Sequence, residues 1–237
     1  MGSNSIENWY SSVVSIRGEI TADKDICREI QLTKLLLVEG KDEVIFFNEL
    51  VDKFKIKDLE IRDYKGKNNF KNFSPIMIAS ESFNKVKSLG IIRDADGEID
   101  CNDSNIENAF ISIRDVLKNI QNDEITKNRL KNASLPNKNK EFSCGSPKIG
   151  VFIINSMLEN LCLQIVKDTV NMGCVEDYFK CLQNNEISPK NKHKAKILAF
   201  LASMPDTVNC IGQAAQKKYW DFESKCLEDI KNFVESI

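Results

Sequence analysis

Two short apolar segments end abruptly in charged residues, and they constrain the fold more than any other feature of the sequence. Residues 35–38 are all Leu or Val and run directly into Glu39, and the apolar residues 89–92 run into Arg93 and Asp94. Apolar runs without alternation are typical of strands that are buried on both faces, as in parallel sheets covered by helices. The sequence therefore predicts an α/β fold with a parallel-sheet core flanked by helices.

Helical spacing alternates with these strands. Apolar side chains recur every three or four residues over residues 44–54 and again over 106–120, which predicts two amphipathic helices. A weaker run at residues 59–61 and a longer apolar run at residues 148–154 predict two more strands. This alternation of strands and helices continues to about residue 170 and indicates one α/β sheet domain.

The domain organisation follows from this pattern. We expect an N-terminal lead-in over residues 1–33, a core over 34–170, and a C-terminal helical extension over 171–237 that packs on the core. Residues 121–147 are rich in Asn, Lys, Ser and Pro. A segment of this length and composition predicts a long mobile loop.

Composition excludes several classes of protein. The 33 basic and 35 acidic side chains give a net charge of −2. This excludes a histone-like protein that wraps nucleic acid by its overall positive charge, but it does not exclude a local basic groove. The eight cysteines form no CxxC pair and His193 is the only histidine, so zinc-finger and zinc-ribbon spacings are absent. We find no secretory signal and no apolar run long enough to span a bilayer. We expect a cytoplasmic protein with reduced thiols and no membrane contact.

Acidic residues stand where parallel strands end. Glu39 follows the first strand, and Asp94 and Asp96 follow the third. Ligands of open parallel sheets bind beyond the carboxyl ends of the strands, and side chains two apart point the same way on an extended backbone. Converging carboxylates repel one another, and Mg²⁺ or Mn²⁺ would resolve the repulsion. The alternative is that these acids are ordinary solvated turn residues.

The two acidic segments together resemble the Toprim (topoisomerase–primase) superfamily. Its marks are a strand ending in Glu-Gly and a later strand ending in Asp-x-Asp, which correspond here to LLLVEGKDEVIFF and LGIIRDADGE. The segment GVFIINSMLENLCLQIV and the tail IGQAAQKKYWDFESKCLEDIKNFV resemble small stand-alone Toprim-like proteins. These are related to the Toprim domain of the OLD (overcoming-lysogenization-defect) nucleases. The resemblance covers about residues 34–237.

The resemblance implies a set of site residues. Glu39, Asp94 and Asp96 match the catalytic, metal-binding acids of the superfamily. Glu43 matches a second acid of the OLD-type branch, and Glu159 matches a distal acid that would complete a second metal site. The OLD-like groups often have a glycine-containing turn before this distal acid, where the present sequence has Asn-Ser-Met at residues 155–157.

The activity implied is that of a nuclease dependent on Mg²⁺ or Mn²⁺ that hydrolyses phosphodiester bonds of DNA or RNA. Such a protein would serve as the effector of an anti-phage defence or toxin system. Because the chain has no NTPase motif, a separate ATPase is a candidate partner. A homo-oligomer is a second candidate assembly. The alternative is a non-catalytic Toprim-like module that binds nucleic acid or another ligand and has a regulatory role.

Four basic residues lie close to the acids in the sequence and are candidates for nucleic-acid contacts. Lys41 adjoins the Glu-Gly turn, Lys65 and Lys67 flank Gly66 after the second strand, and Arg93 precedes Asp94. A nucleic-acid backbone is bound largely through such side chains. The lysines at residues 190–196 form a second basic stretch, for which a solvated helix face is the better interpretation.

Overall fold

The computed structural model of the protein describes residues 28–95, 103–124 and 126–237. In this part of the chain, four parallel strands form the central sheet in the order β2-β1-β3-β6, and β4 and β5 form a separate antiparallel pair. The strands are β1 (Lys34–Val38), β2 (Leu59–Asp63), β3 (Ser88–Asp94), β4 (Asn132–Ala133), β5 (Gly145–Ser146) and β6 (Lys148–Ile154).

Helices connect the strands and build the C-terminal extension. They are α1 (Lys41–Phe54), α2 (Phe70–Ala79), α3 (Asp103–Asn122), α4 (Leu158–Val166), α5 (Val170–Asn184), α6 (Lys192–Ala202), α7 (Ile211–Gln216) and α8 (Glu228–Glu235). Short 3₁₀ turns occur at Lys67–Asn69, Glu81–Lys85 and Lys225–Leu227. Of the helices in the described ranges, none has the length and apolar character that crossing a membrane requires.

Both faces of the sheet are covered, as the unbroken apolar strands predict. Leu36 and Ile92 belong to a core shared with α1 and the C-terminal helices, whereas Leu35, Leu37 and Ile91 belong to a core shared with α2 and α3. Successive strand residues point to opposite faces, so a strand in the middle of two cores must be apolar throughout. The predicted α/β class is confirmed, with a parallel sheet flanked by helices and a helical C-terminal extension.

The extension is anchored on the core by buried aromatic residues. Trp220 is 3% exposed, its indole N–H donates to the carbonyl of Ile211 at 2.9 Å, and its ring stacks on Phe200 with centroids 5.9 Å apart. Phe222 meets Phe46 of α1 edge-on. These contacts make the extension part of the same hydrophobic core as the sheet.

The segment predicted as a long mobile loop, residues 121–147, consists mostly of turns and loop in its described part, but it also contains regular elements. Residues 121–122 complete α3, and the segment beyond contains β4 and β5. The N–H of Lys140 donates to the carbonyl of Val151 and that of Ser143 to Ile149, both at 2.8 Å. Because β6 is at the edge of the sheet, its outer backbone groups need partners. The polar segment supplies them, which composition alone does not reveal.

Two glycines allow side chains to lie directly on the sheet. Gly90 of β3 and Gly150 of β6 are opposite each other in the strand register. A Cβ atom on Gly150 would lie 2.5 Å from the ring of Phe142, and one on Gly90 would lie 2.5 Å from Cδ1 of Ile237. Phe142 and Ile237 therefore occupy the space that side chains at these two positions would fill.

We predict that Gly150→Ala lowers the free energy of unfolding by about 1–3 kcal/mol, because the rigid Phe142 ring would have to move. Gly173→Ala is the matched control, since no atom lies within 4 Å of a Cβ there. Gly173 lies within α5, where alanine is favoured by about 0.5–1 kcal/mol. Urea unfolding measures both changes. Equal midpoints for Gly150→Ala and the wild type would contradict tight packing of the ring.

Candidate functional site

The carboxyl ends of β1 and β3 lie side by side and carry two of the predicted acids. The strands pair in parallel with Leu37 opposite Ile91, Glu39 follows β1, and Asp94 is the last residue of β3. The chain leaves β1 for β2 on one side, while β3 and β6 extend the sheet on the other. Such a reversal of strand order opens a crevice at the carboxyl edge, where ligands of α/β proteins bind.

Two helices begin at this edge and bring two further acids. Glu43 is in the first turn of α1 and Glu159 in the first turn of α4, where the helix dipole favours negative charge. A Cβ atom on Gly40 would lie 2.9 Å from a carboxylate oxygen of Glu43, so the turn after Glu39 leaves little room for a side chain. The charges of Glu39 and Glu159 raise the pKa values of Glu43 and Asp94, which links four of the predicted acids.

Asp94 is at the centre of this group. Burial raises the pKa of its carboxyl group well above the usual range, and the charges of Glu39, Glu159 and Glu43 raise it further. The backbone N–H of Leu158, at the start of α4, donates a hydrogen bond to the carboxylate and acts in the opposite direction. The start of α4 thus positions the Asp94 carboxyl group, but its hydrogen bond does not offset the effects that raise the pKa.

Glu43 is subject to the same forces. Burial raises its pKa to about 7, and the charges of Asp42, Glu39 and Glu159 contribute in the same direction. Burial and like charges both disfavour an ionised carboxyl group. The site therefore holds protons near neutral pH that isolated carboxyl groups would have released.

The donor atoms suit a hard cation, but the described residues do not complete a metal site. Among them, no group of three or more His, Cys, Asp or Glu side chains could hold a metal ion. Asp96, the predicted third ligand of the first metal, lies outside the described residues. Carboxylate oxygens are the ligands that Mg²⁺ and Mn²⁺ prefer, and a cation would relieve the repulsion that raises the pKa of Asp94 and Glu43.

The loop after β2 folds onto Glu39. The N–H of Lys67 donates to Oε1 of Glu39 at 2.8 Å, and the N–H of Gly66 donates to the carbonyl of Glu39 at 2.7 Å. Lys65 and Gly66 have φ angles of 62° and 95°, so the chain turns sharply there. A pocket of about 560 Å³ opens beside this turn, and its lining comprises Glu39, Lys65, Gly66, Lys67, Asn68, Asn69 and Asn72.

The other two predicted basic residues are placed differently. Arg93 precedes Asp94 in β3 and faces α3, where its Nη1 donates to Oγ of Ser112 at 3.4 Å. Neighbouring strand residues point to opposite faces, so Arg93 is directed away from the Asp94 side. Lys41 is exposed at the start of α1. The structure therefore brings Lys65 and Lys67 beside Glu39, leaves Lys41 exposed at the start of α1, and directs Arg93 toward α3.

Sequence reasoning missed the role of Asp42. Its Oδ2 accepts the N–H of Ile211 at 2.9 Å and its Oδ1 accepts the N–H of Gly212 at 2.6 Å, so one carboxylate binds the start of α7. A Cβ atom on Gly212 would lie 2.6 Å from Oδ1 of Asp42. Asp42 fastens the extension to the first turn of α1, beside Glu43. The only signal in the sequence is the glycine at the start of a short apolar segment.

The turn before Glu159 keeps a backbone shape that glycine favours. Ser156 has a φ of 74°, and its buried side chain accepts a hydrogen bond from the amide of Asn160 at 2.5 Å. This is the turn at which the OLD-like groups often have glycine. A left-handed residue here lets α4 begin directly after β6, which puts Glu159 at the same edge as Asp94.

Comparison with known families adds a classification. Residues 33–237 match the family described as "Protein of unknown function (DUF3226)". The chain belongs to this family. No curated protein and no solved structure matches the chain. The match begins just before β1 and includes the helical extension, so DUF3226 covers the sheet and the extension together.

We predict that Asp42→Ala lowers the free energy of unfolding by about 2–4 kcal/mol, because two hydrogen bonds to one charged group are lost and two N–H groups are left without it. Asp52→Ala, at an exposed position of the same helix, should change stability by less than about 0.5 kcal/mol. Thermal and urea unfolding measure both variants. Similar losses for the two variants would show that the Asp42 contacts contribute little.

The carboxyl groups also predict how stability depends on pH in the metal-free protein. Folded Glu43 and Asp94 keep their protons at pH values where the unfolded chain has lost them. The free energy of unfolding should therefore be highest near pH 4.5 and fall as the pH rises to about 7. The contribution of Glu43 to this fall is up to about 3 kcal/mol.

Urea unfolding at a series of pH values in EDTA tests this expectation. Glu43→Gln should weaken the dependence and stabilise the protein above pH 7, whereas Glu107→Gln, at an exposed position of α3, should leave it unchanged. Stability that rises with pH over the same range would mean that the folded protein stabilises the ionised carboxylates instead.

Proposed function

We propose that this DUF3226 protein is a metal-dependent nuclease of the Toprim type that hydrolyses phosphodiester bonds of DNA or RNA. The observation that carries the proposal is the mutual repulsion of Glu39, Glu43, Asp94 and Glu159 at the carboxyl edge of the sheet. A protein gains no stability from gathering half-buried like charges. Groups with strongly perturbed pKa values, as Glu43 and Asp94 have here, cluster at functional sites.

The acids divide into two groups by position. Glu39, Asp94 and Asp96 would hold the first cation, and Glu43 and Glu159 would help to hold a second. Bound Mg²⁺ or Mn²⁺ supplies a more acidic water and neutralises charge on the phosphate oxygens. The carboxylates fix the position of the scissile phosphodiester relative to that water. The Leu158 N–H on Asp94 keeps this carboxylate oriented.

The loop after β2 is the proposed contact for the phosphate backbone. Lys65 and Lys67 line the pocket beside Glu39, and ammonium groups at this position would balance the charge of an entering strand. Lys41 at the rim would extend the contact. Arg93 faces α3 and is not part of this proposed surface. Use as an anti-phage or toxin effector with a partner ATPase remains part of the proposal on the resemblance alone.

A second candidate function is a non-catalytic Toprim-like module that binds nucleic acid or another ligand. One observation favours it: Glu39 accepts a hydrogen bond from the backbone of Lys67 at 2.8 Å. That carboxylate therefore already has a structural task, which is to hold the loop after β2. In a module of this kind the acids would fix the loop. Loss of Glu39 would then alter ligand binding, and the wild-type protein would show no cleavage activity.

Cleavage assays test the proposal. We expect the purified protein to cut single-stranded or duplex DNA or RNA with Mg²⁺ or Mn²⁺ and to be inactive in EDTA. Asp94→Asn should lower the rate at least about a hundredfold, since loss of partners that only orient ligands already costs 10–100-fold. Glu159→Gln should lose less and regain activity at high Mn²⁺, which binds such sites more tightly than Mg²⁺ and tolerates a missing ligand.

Glu107→Gln is the control for these variants because it removes one exposed carboxylate of α3 that is not among the proposed site acids. It should cleave at the wild-type rate. Absence of cleavage on every substrate and with both metals would refute the nuclease proposal. A Glu159→Gln variant with the wild-type rate at low Mn²⁺ would leave a mechanism with one metal.

A further inference from the structure

A second pocket lies in the helical part of the molecule, between α4, α5 and α6. Its volume is about 280 Å³, just below the usual range for small-ligand sites. Its apolar lining comes from Leu163 and from Met172, which is 4% exposed. Amides line the pocket at Asn160 and Gln164. A small site with an apolar surface and amide groups suits a flat, polar-edged ring.

The pocket is joined to the acidic edge by a single helix. α4 begins at Leu158, whose N–H binds Asp94, and continues through Glu159 to Asn160. Asn160, Gln164 and Lys167 follow one another at helical spacing and share one side of the helix. With a rise of 1.5 Å per residue, Lys167 is only about 12 Å along the axis from Glu159. A strand held at the acids would reach this pocket with its neighbouring nucleotides.

The polar groups of the pocket differ in what they already bind. Lys196 pairs with Glu176 and lies over the ring of Phe179, 5.7 Å from its centroid. None of the described residues pairs with the Lys167 ammonium group. Oδ1 of Asn160 is buried and has no hydrogen-bond partner in the described part of the chain. Because this oxygen is buried, the groups that the pocket offers to a ligand are the exposed Lys167 ammonium group and the exposed Gln164 amide, whereas Lys196 is already paired.

We propose that this pocket seats one nucleobase of a single-stranded nucleic acid, with Lys167 on the adjacent phosphate. This rests on the proposed function and names its substrate class. Leu163 and Met172 contact the face of the base, as apolar side chains do in pockets for unstacked bases. The exposed Gln164 amide is placed to contact its edge. A base in a duplex is stacked and paired, so the site selects single strands.

Binding without metal tests the pocket apart from any cleavage. We would measure fluorescence anisotropy in EDTA with a single-stranded oligonucleotide of about eight nucleotides, its blunt duplex, and an abasic chain of equal length. We expect the single strand to bind most tightly. The Gln164→Ala/Lys167→Glu variant should weaken its binding at least about fivefold. Lys118→Glu makes the same change of charge on α3, across the sheet, and should bind as the wild type does.

The abasic chain separates a base pocket from a merely basic surface. It carries the same phosphates, so weaker binding of it by the wild type supports a seated base, and equal binding overturns the proposal. Circular dichroism and thermal unfolding should show that the double variant folds as the wild type does. The pocket proposal also fails if the double variant binds and cleaves single strands with unchanged Kd and KM.

Failure of the two proposals can be told apart. Single-strand binding that depends on Gln164 and Lys167, without cleavage in Mg²⁺ or Mn²⁺, would keep the pocket and refute the nuclease. Cleavage that is insensitive to these residues would keep the nuclease and refute the pocket. If both hold, the double variant should raise KM by a similar factor to its loss of affinity and leave kcat within about twofold.

Discussion

The parallel pairing of β1 with β3 is the constraint on which the rest of the structure depends. Both strands have cores on each face, so they are apolar throughout, and their polar residues can stand only where the strands end. The register that pairs Leu37 with Ile91 then brings Glu39 and Asp94 to one edge. The burial that stabilises the sheet thus also creates the electrostatic strain of the site, because the carboxyl groups end up beside an apolar core.

The helical extension is tied to this edge and is not a separate layer. Asp42 is one residue from Glu43 and binds the first two N–H groups of α7, while α4 carries Glu159 at its start and lines the second pocket farther along. A change in the packing of the extension would therefore reach the acids through two helix starts. The match of DUF3226 to both parts agrees with one structural unit.

The sequence predicts the strands of the central sheet well because burial on two faces leaves an unmistakable apolar pattern. It also predicts which acids meet, since Glu39 and Asp94 follow directly from strand ends. It fails for interactions between residues far apart in the chain. The pairing of Asp42 with Ile211 and the cover that residues 139–143 give to β6 rest on polar groups with no local pattern. From composition alone such polar groups are expected to be solvent-exposed. In the structure they bind partners in distant segments of the chain.

Protons and cations offer two ways of relieving the same repulsion. Burial raises the pKa of Glu43 to about 7 and that of Asp94 well above its usual range, and a cation at the proposed site would have to displace the protons that these groups keep. The Leu158 N–H and the Lys67 N–H do not remove this competition, because each stabilises one carboxylate by a single hydrogen bond. In the metal-free protein these protons balance the repulsion at this edge, and the proposed cation would take over that task. That balance distinguishes the acids at this edge from the ion-paired carboxylates elsewhere on the surface, such as Glu223 with Lys53.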